Sequence, residues 1–161
     1  MDINHMTEKV QEASGATQSL ALDYHNSQIE VEHLLLTLLK QDEGLASSLV
    51  TKAGADRAEL LLKVRQEVEN LPKISISGGG SEQLYLSNRL NRLLNRAEQQ
   101  MKKLHDEYLS VEHLVLAMTE DDGVTGRFFK AEGLTEAKLI KALQNIRGHQ
   151  RVTSTNPEAT Y

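Results

Sequence analysis

The segment Ile29-Glu30-Val31-Glu32-His33-Leu34-Leu35-Leu36 returns as Leu109-Ser110-Val111-Glu112-His113-Leu114-Val115-Leu116, at an offset of 80 residues. Upstream the offset persists. His25 maps to His105, and the stripe Met6, Val10, Ala13, Thr17, Ala21, Tyr24 maps to Leu86, Leu90, Leu93, Ala97, Met101, Leu104. Downstream one residue is lost, so Gly44 and Gly54 map to Gly123 and Gly133 at an offset of 79. An apolar stripe, a sharp motif and two glycines stay in step only if the fold itself is duplicated. Two copies predict one pseudo-symmetric domain, with the seam between them as the place to look for function.

Within each copy the apolar period is helical and almost nowhere alternating. Met6 to His25 reads as one long amphipathic helix, broken at Asn26-Ser27. A second helix, from about Val31 to Asp42, has leucines at 34, 35, 36, 38 and 39 and little polar face, so it should be the buried centre of its repeat. Leu45 to Lys52 makes a short helix stopped by Gly54 in the left-handed role. Asp56 caps a fourth carrying Leu60, Leu61, Val64, Val68 and Leu71, and Pro72 ends it. The second copy repeats the plan with caps at Ser87, Ser110 and Thr135. The predicted architecture is therefore all-α, eight helices in two four-helix halves. Repeat one spans 1–72, a Gly/Ser-rich linker spans 73–82 and repeat two spans 83–148. Residues 149–161 lack an apolar period and contain Asn156-Pro157, so they read as a linker leading out to a further domain.

Composition narrows the function. At 161 residues, one compact domain buries roughly 70% of its unfolded surface. The net charge of −5 argues against a binder driven by nucleic-acid phosphates. Absence of cysteine removes disulfides, thiol nucleophiles and thiolate metal sites, which suits a reducing cytosol. No basic-plus-apolar leader opens the chain, and no run approaches the 18 or so apolar residues of a membrane span.

The chemical motifs reduce to a few. Glu32 and Glu112 lie in the first turn of the two buried helices, where the dipole favours a carboxylate and where a partner could be gripped. His33 and His113 lack companions at ligand spacing, so they read as core or capping histidines rather than metal ligands. Gly78-Gly79-Gly80 lacks the lysine and the strand of a phosphate loop and reads as linker. Arg89, Arg92 and Arg96 share a helical face, solvated or touching an anionic partner. No catalytic motif is present, so an enzyme is not expected.

The duplicated helix–Glu-His-Leu–helix–Gly plan over residues 1 to about 148 resembles the N-terminal repeat domain of the Clp family of AAA+ unfoldases. The opening Met-Asp-Ile-Asn-His-Met-Thr, Leu71-Pro72-Lys73, the glycine linker and the exit from Arg151 to Tyr161 resemble the ClpB branch, the disaggregases. The resemblance implies a domain of two four-helix repeats that engages unfolded or aggregated polypeptides in a surface groove. It further implies a cytoplasmic homohexamer working with a DnaK-type chaperone system. ATP and Mg would bind in ATPase domains outside this chain, with no cofactor in the chain itself. The isolated domain would be a monomer that binds no nucleic acid and no membrane. By resemblance, substrate handling falls on Thr7, Asp106 and Glu112. From the apolar stripes Leu86, Leu90, Leu109 and Val111 are added as groove walls, and Glu32, Arg89 and Arg92 as anion or arginine contacts.

Two alternatives stand beside this. The ClpC-like branch binds adaptors and phosphorylated arginine, which would use Thr7, Glu32 and Glu112; that branch reads Gly-Thr-Glu-His where this chain has Glu30-Val31 and Ser110-Val111. A freestanding helical scaffold is the other. The copies differ at Ser14 against Leu94, Asn26 against Asp106 and Glu30 against Ser110, which predicts a working groove biased toward the second copy.

Overall fold

The structure, a computed structural model, describes residues 3–41, 44–74 and 84–161. It contains α1 (Glu8–Asp23), α2 (Val31–Lys40), α3 (Leu45–Lys52), α4 (Arg57–Glu69), α5 (Asn88–Lys103), α6 (Val111–Met118), α7 (Val124–Ala131) and α8 (Glu136–Arg147). The side chains of Asp56, Ser87 and Thr135 accept from the backbone N–H three residues on, as expected of caps. Thr7 does the same for Val10, so α1 begins at Glu8 and not at Met6. Residues 75–83, with Gly78-Gly79-Gly80 and most of the expected linker, lie outside the described residues.

Helix ends repeat as faithfully as helix starts. Gly54 (φ 102°) and Gly133 (φ 70°) take the left-handed turn after α3 and α7. After α1 and α5 the same conformation falls on His25 (φ 58°) and His105 (φ 60°), where the backbone N–H groups of Asn26 and Asp106 close onto the carbonyls of Ala21 and Met101.

Two short parallel pairings, absent from the helical expectation, join the copies. β1 (Gln28–Ile29) pairs with β2 (Tyr85–Leu86), and Met6 bridges to Leu109. The Thr7 N–H donates to the Leu109 carbonyl at 2.9 Å, and the Ser87 N–H to the Ile29 carbonyl at 3.0 Å. The operation that carries Met6 to Leu86 thus carries Leu109 back to Ile29. An operation that is its own inverse is a twofold rotation, so the repeats are related by a pseudo-twofold axis.

The core follows from composition. With aromatics at 4%, its bulk is aliphatic. Residues 31–39 of α2 and all of α6 are buried, and Phe129 of α7 is the largest fully buried side chain. Each such leucine contributes on the order of 1.5–3 kcal/mol. α2 packs on α1 and α4, and α6 on α5 and α8. Across the seam α3 meets α6 and α8, while α7 meets α2 and α4. No helix among the described residues is long and apolar enough to cross a membrane.

Residues 149–161, expected to lead away as a linker, return along the second repeat. Val152 is fully buried, and Pro157 is buried. The Val152 carbonyl accepts from the Glu107 N–H at 2.8 Å, and the Thr155 carbonyl from the Glu8 N–H at 2.7 Å. This docking uses backbone groups and isolated side chains, which leave no apolar period in the sequence.

Candidate functional site

A groove of about 740 Å³ lies between α1 and α5, floored by α2 and α6. Its lining comprises Met6, Val10, Ser14, Thr17, Gln18, Leu22, Ile29, Leu34, Leu84, Leu86, Leu90, Asn91, Leu94, Asn95 and Leu114. Met6 and Leu86, Val10 and Leu90, Ser14 and Leu94, and Leu34 and Leu114 are repeat mates, so the pseudo-twofold axis runs through the groove. Leu34, Leu90 and Leu114 form a floor closed to solvent from behind, while Leu22 and Leu86 stand exposed at the rim. In a chain that is 25% charged, none of the lining residues is charged. An apolar cleft edged by amides and hydroxyls, within the ~300–1,000 Å³ usual for ligand sites, has the size and polarity to suit an apolar segment while its edges keep the free surface wettable.

Of the stripe residues assigned to the groove, Leu86 is rim and Leu90 is floor. Leu109 and Val111 are not groove walls: both are buried in the core, Leu109 in the place that buried Ile29 takes in the other repeat and Val111 as the first residue of α6. The mates of Leu86 and Leu90, Met6 and Val10, were available from the repeat alone once a groove on the axis was posited. The amides Gln18, Asn91 and Asn95 carry no apolar signal and are recognisable only in three dimensions.

Thr7, Asp106 and Glu112 are not surface residues. Thr7 is fully buried; besides capping α1 its hydroxyl donates to Glu158 Oε2 at 2.7 Å. Asp106 accepts the His113 Nε2–H at 2.7 Å, a two-pronged pair from Arg147 at 3.0 and 3.2 Å, and the Val152 N–H at 3.0 Å. Burial raises the Asp106 carboxyl toward protonation, but His113, the Val152 N–H and Arg147 outweigh it and hold the carboxyl below its usual range. Glu112 is fully buried and accepts from Arg147 at 3.1 Å and from the Tyr161 hydroxyl at 3.0 Å. Burial, then the neighbouring Glu112 carboxylate, pushes that phenol well up. The three residues therefore fasten the 149–161 segment to the second repeat.

A second charged cluster joins Glu32 of the first repeat to the start of α5. Arg89, from the first turn of α5, donates to both oxygens of Asp121 at 2.9 and 3.0 Å and to both oxygens of Glu32. Burial would strip its proton, but the bonds to Asp121 and Glu32 prevail and hold it firmly cationic. Thr125 donates to Glu32 at 2.6 Å. A Cβ on Gly123 would come within 2.4 Å of the Arg89 guanidinium carbon, so that glycine makes room for the clamp. Arg92 is exposed and pairs with Asp122 at 3.4 Å. The carboxylates Glu32 and Glu112 thus each already hold an arginine of the same chain, Arg89 and Arg147.

His33 and His113 complete the helix starts. The Nδ1 of each accepts the N–H of its cap residue, Glu30 at 2.8 Å and Ser110 at 2.9 Å. The other ring nitrogen therefore carries the proton, given to Asn26 Oδ1 at 2.8 Å and to Asp106 as above. These are the capping histidines expected from the sequence.

A family model described as the Clp repeat (R) N-terminal domain matches residues 5–132. The chaperone protein ClpB of Bacillus anthracis is 42% identical over 161 residues, all of this chain and 19% of that protein. A ClpB of Nostoc is 42% identical over 158 residues, 98% of this chain and 18% of its own length. The chain therefore spans about a fifth of the curated relatives it matches. Among solved structures, the Hsp104 N-terminal domain of Candida albicans superposes with a TM-score of 0.80 at 20% identity, over 95% of this chain and 98% of that one. The N-terminal domain of ClpV1 from E. coli gives 0.75 at 22% identity, over 96% and 91%. At such identities these two speak for the all-α fold alone. With the duplicated motif, the reciprocal pairing of its halves and the match over residues 5–132 in agreement, the chain belongs to the Clp repeat N-terminal domain family.

Proposed function

We propose that this chain is the substrate-engaging domain of a ClpB-type disaggregase, binding apolar segments of unfolded or aggregated polypeptides in the groove between α1 and α5. The observation that carries this reading is the uncharged apolar lining at the seam of the repeats. Such a lining suits many sequences weakly rather than one tightly, since apolar contact is non-directional and its polar edges adapt. The domain itself does no chemistry and needs no cofactor; ATP and Mg act in ATPase domains of a cytoplasmic homohexamer that cooperates with a DnaK-type system. The arginine-recognition alternative is not favoured, because Glu32 and Glu112 are committed to Arg89 and Arg147. The 42% identity to ClpB proteins along the whole chain also weighs against a freestanding scaffold.

The test is titration of isotope-labelled domain with an unfolded casein. Amide shifts are expected at Met6, Val10, Leu86 and Leu90. Leu86→Asp, at an exposed rim position, should weaken binding at least about fivefold without unfolding the domain, because a charge would face the bound apolar segment. Shifts confined to the Arg89 or Arg147 clusters would overturn the assignment.

A further inference from the structure

We infer that the groove accepts an extended polypeptide in either chain direction. This rests on the groove being the polypeptide site, as proposed above, and concerns how that site reads its ligand.

The pseudo-twofold axis passes through the groove, because repeat mates line it on both sides. It exchanges the Met6–Leu109 bridge with the Leu86–Ile29 pairing, which lie toward opposite ends. Rotation about this axis therefore reverses the N-to-C direction of a bound segment. The reversed segment then meets Leu86 where it met Met6, Leu90 where it met Val10, and Leu114 where it met Leu34.

Direction would still be read if the lining carried a sign. Among the described residues it carries none: no charged side chain lines the groove to sense the polarity of an extended backbone. The polar groups at the edges are mainly primary amides, Gln18, Asn91 and Asn95, each with a carbonyl acceptor and two N–H donors. An amide meets a backbone N–H or a backbone carbonyl by turning over, so both directions are satisfied by the same residues. Residual preference comes from imperfect symmetry: Ser14 stands against Leu94, and Gln18, Leu22 and Asn95 have mates, Glu98, Lys102 and Gly15, that are not in the lining. A difference on the scale of Ser14 against Leu94, one or two methylene contacts, favours one orientation by about tenfold and leaves both populated.

The experiment uses a short, uncharged, leucine-rich peptide carrying a nitroxide at its N-terminus and, separately, at its C-terminus. Bound to isotope-labelled domain, each labelled peptide should broaden amides at both ends of the groove, near Thr7 and near Ser87. Ser14→Leu, at an exposed position, should bring the broadening at the two ends closer to equality. Groove shifts with broadening at one end only, switching ends when the label is moved, would overturn the inference while leaving the polypeptide site intact. Absence of groove shifts with this peptide and with unfolded casein would overturn both.

Discussion

Asn26 and Asp106 occupy the same place in the two repeats, and one atom separates their consequences. Asn26 takes the His33 proton on its oxygen and spends its amide on the Pro72 carbonyl at 3.1 Å, so repeat one is closed with neutral groups. Asp106 has no proton to give. Its charge instead gathers the Arg147 guanidinium and the Val152 N–H. Asp106→Asn should lower stability by about 3 kcal/mol in urea denaturation, since it strips a buried arginine of its two-pronged partner. Adding Arg147→Met should restore part of the loss by removing the stranded cation, whereas an additive double mutant would show that the two residues are not coupled. The Asn-to-Asp difference is visible in the sequence, where it predicts a working groove biased toward the second copy. A repeat reveals that two residues are equivalent but not whether their common place is inside, and charged residues are ordinarily outside. Glu32, Glu112 and Arg89 were misplaced for the same reason.

Among elements, α2 and α6 were the most legible, because a helix that is apolar on every side has only one place to go. The start of α2 adds a pH dependence. Burial lowers the His33 pKa from 6.5 to about 4, against the opposing pull of Glu32. A base with a depressed folded pKa stays neutral in the fold while the unfolded chain takes up the proton. Stability should therefore fall as pH drops from about 6.5 toward 4, by roughly 2 kcal/mol between pH 7 and pH 5. His33→Gln should flatten the change in urea midpoint across that window; an unchanged slope would dissociate His33 from it. The least legible elements were the two short pairings and the 149–161 segment. Two paired residues are too few to register as alternation, and a strap held by Val152, Pro157 and backbone hydrogen bonds has no period at all.

For the whole molecule, the repeat announced a seam and the seam holds the groove, yet the wall residues divided unpredictably. Leu86 and Leu109 look alike in sequence; one is 41% exposed and the other fully buried, because Leu109 takes the place of buried Ile29 before the central helix of its repeat, whereas Leu86 takes the place of Met6 before the first helix. That reciprocal pairing has a further consequence for how such a chain could arise. Each repeat holds a donor segment, Met6 or Leu86, and an acceptor segment, Ile29 or Leu109, but always pairs with the other repeat's. A half-length chain of residues 1–72 contains both parts of the exchange and cannot pair them with each other in this geometry. It should close as a symmetric homodimer, with Met6 of one copy beside Ile29 of the next, seen as twice the half-chain mass in sedimentation. A purely monomeric folded half would contradict this. On that view the present chain is a gene-fused dimer, in which covalent linkage replaced the concentration dependence of assembly and freed the two halves of the groove to diverge.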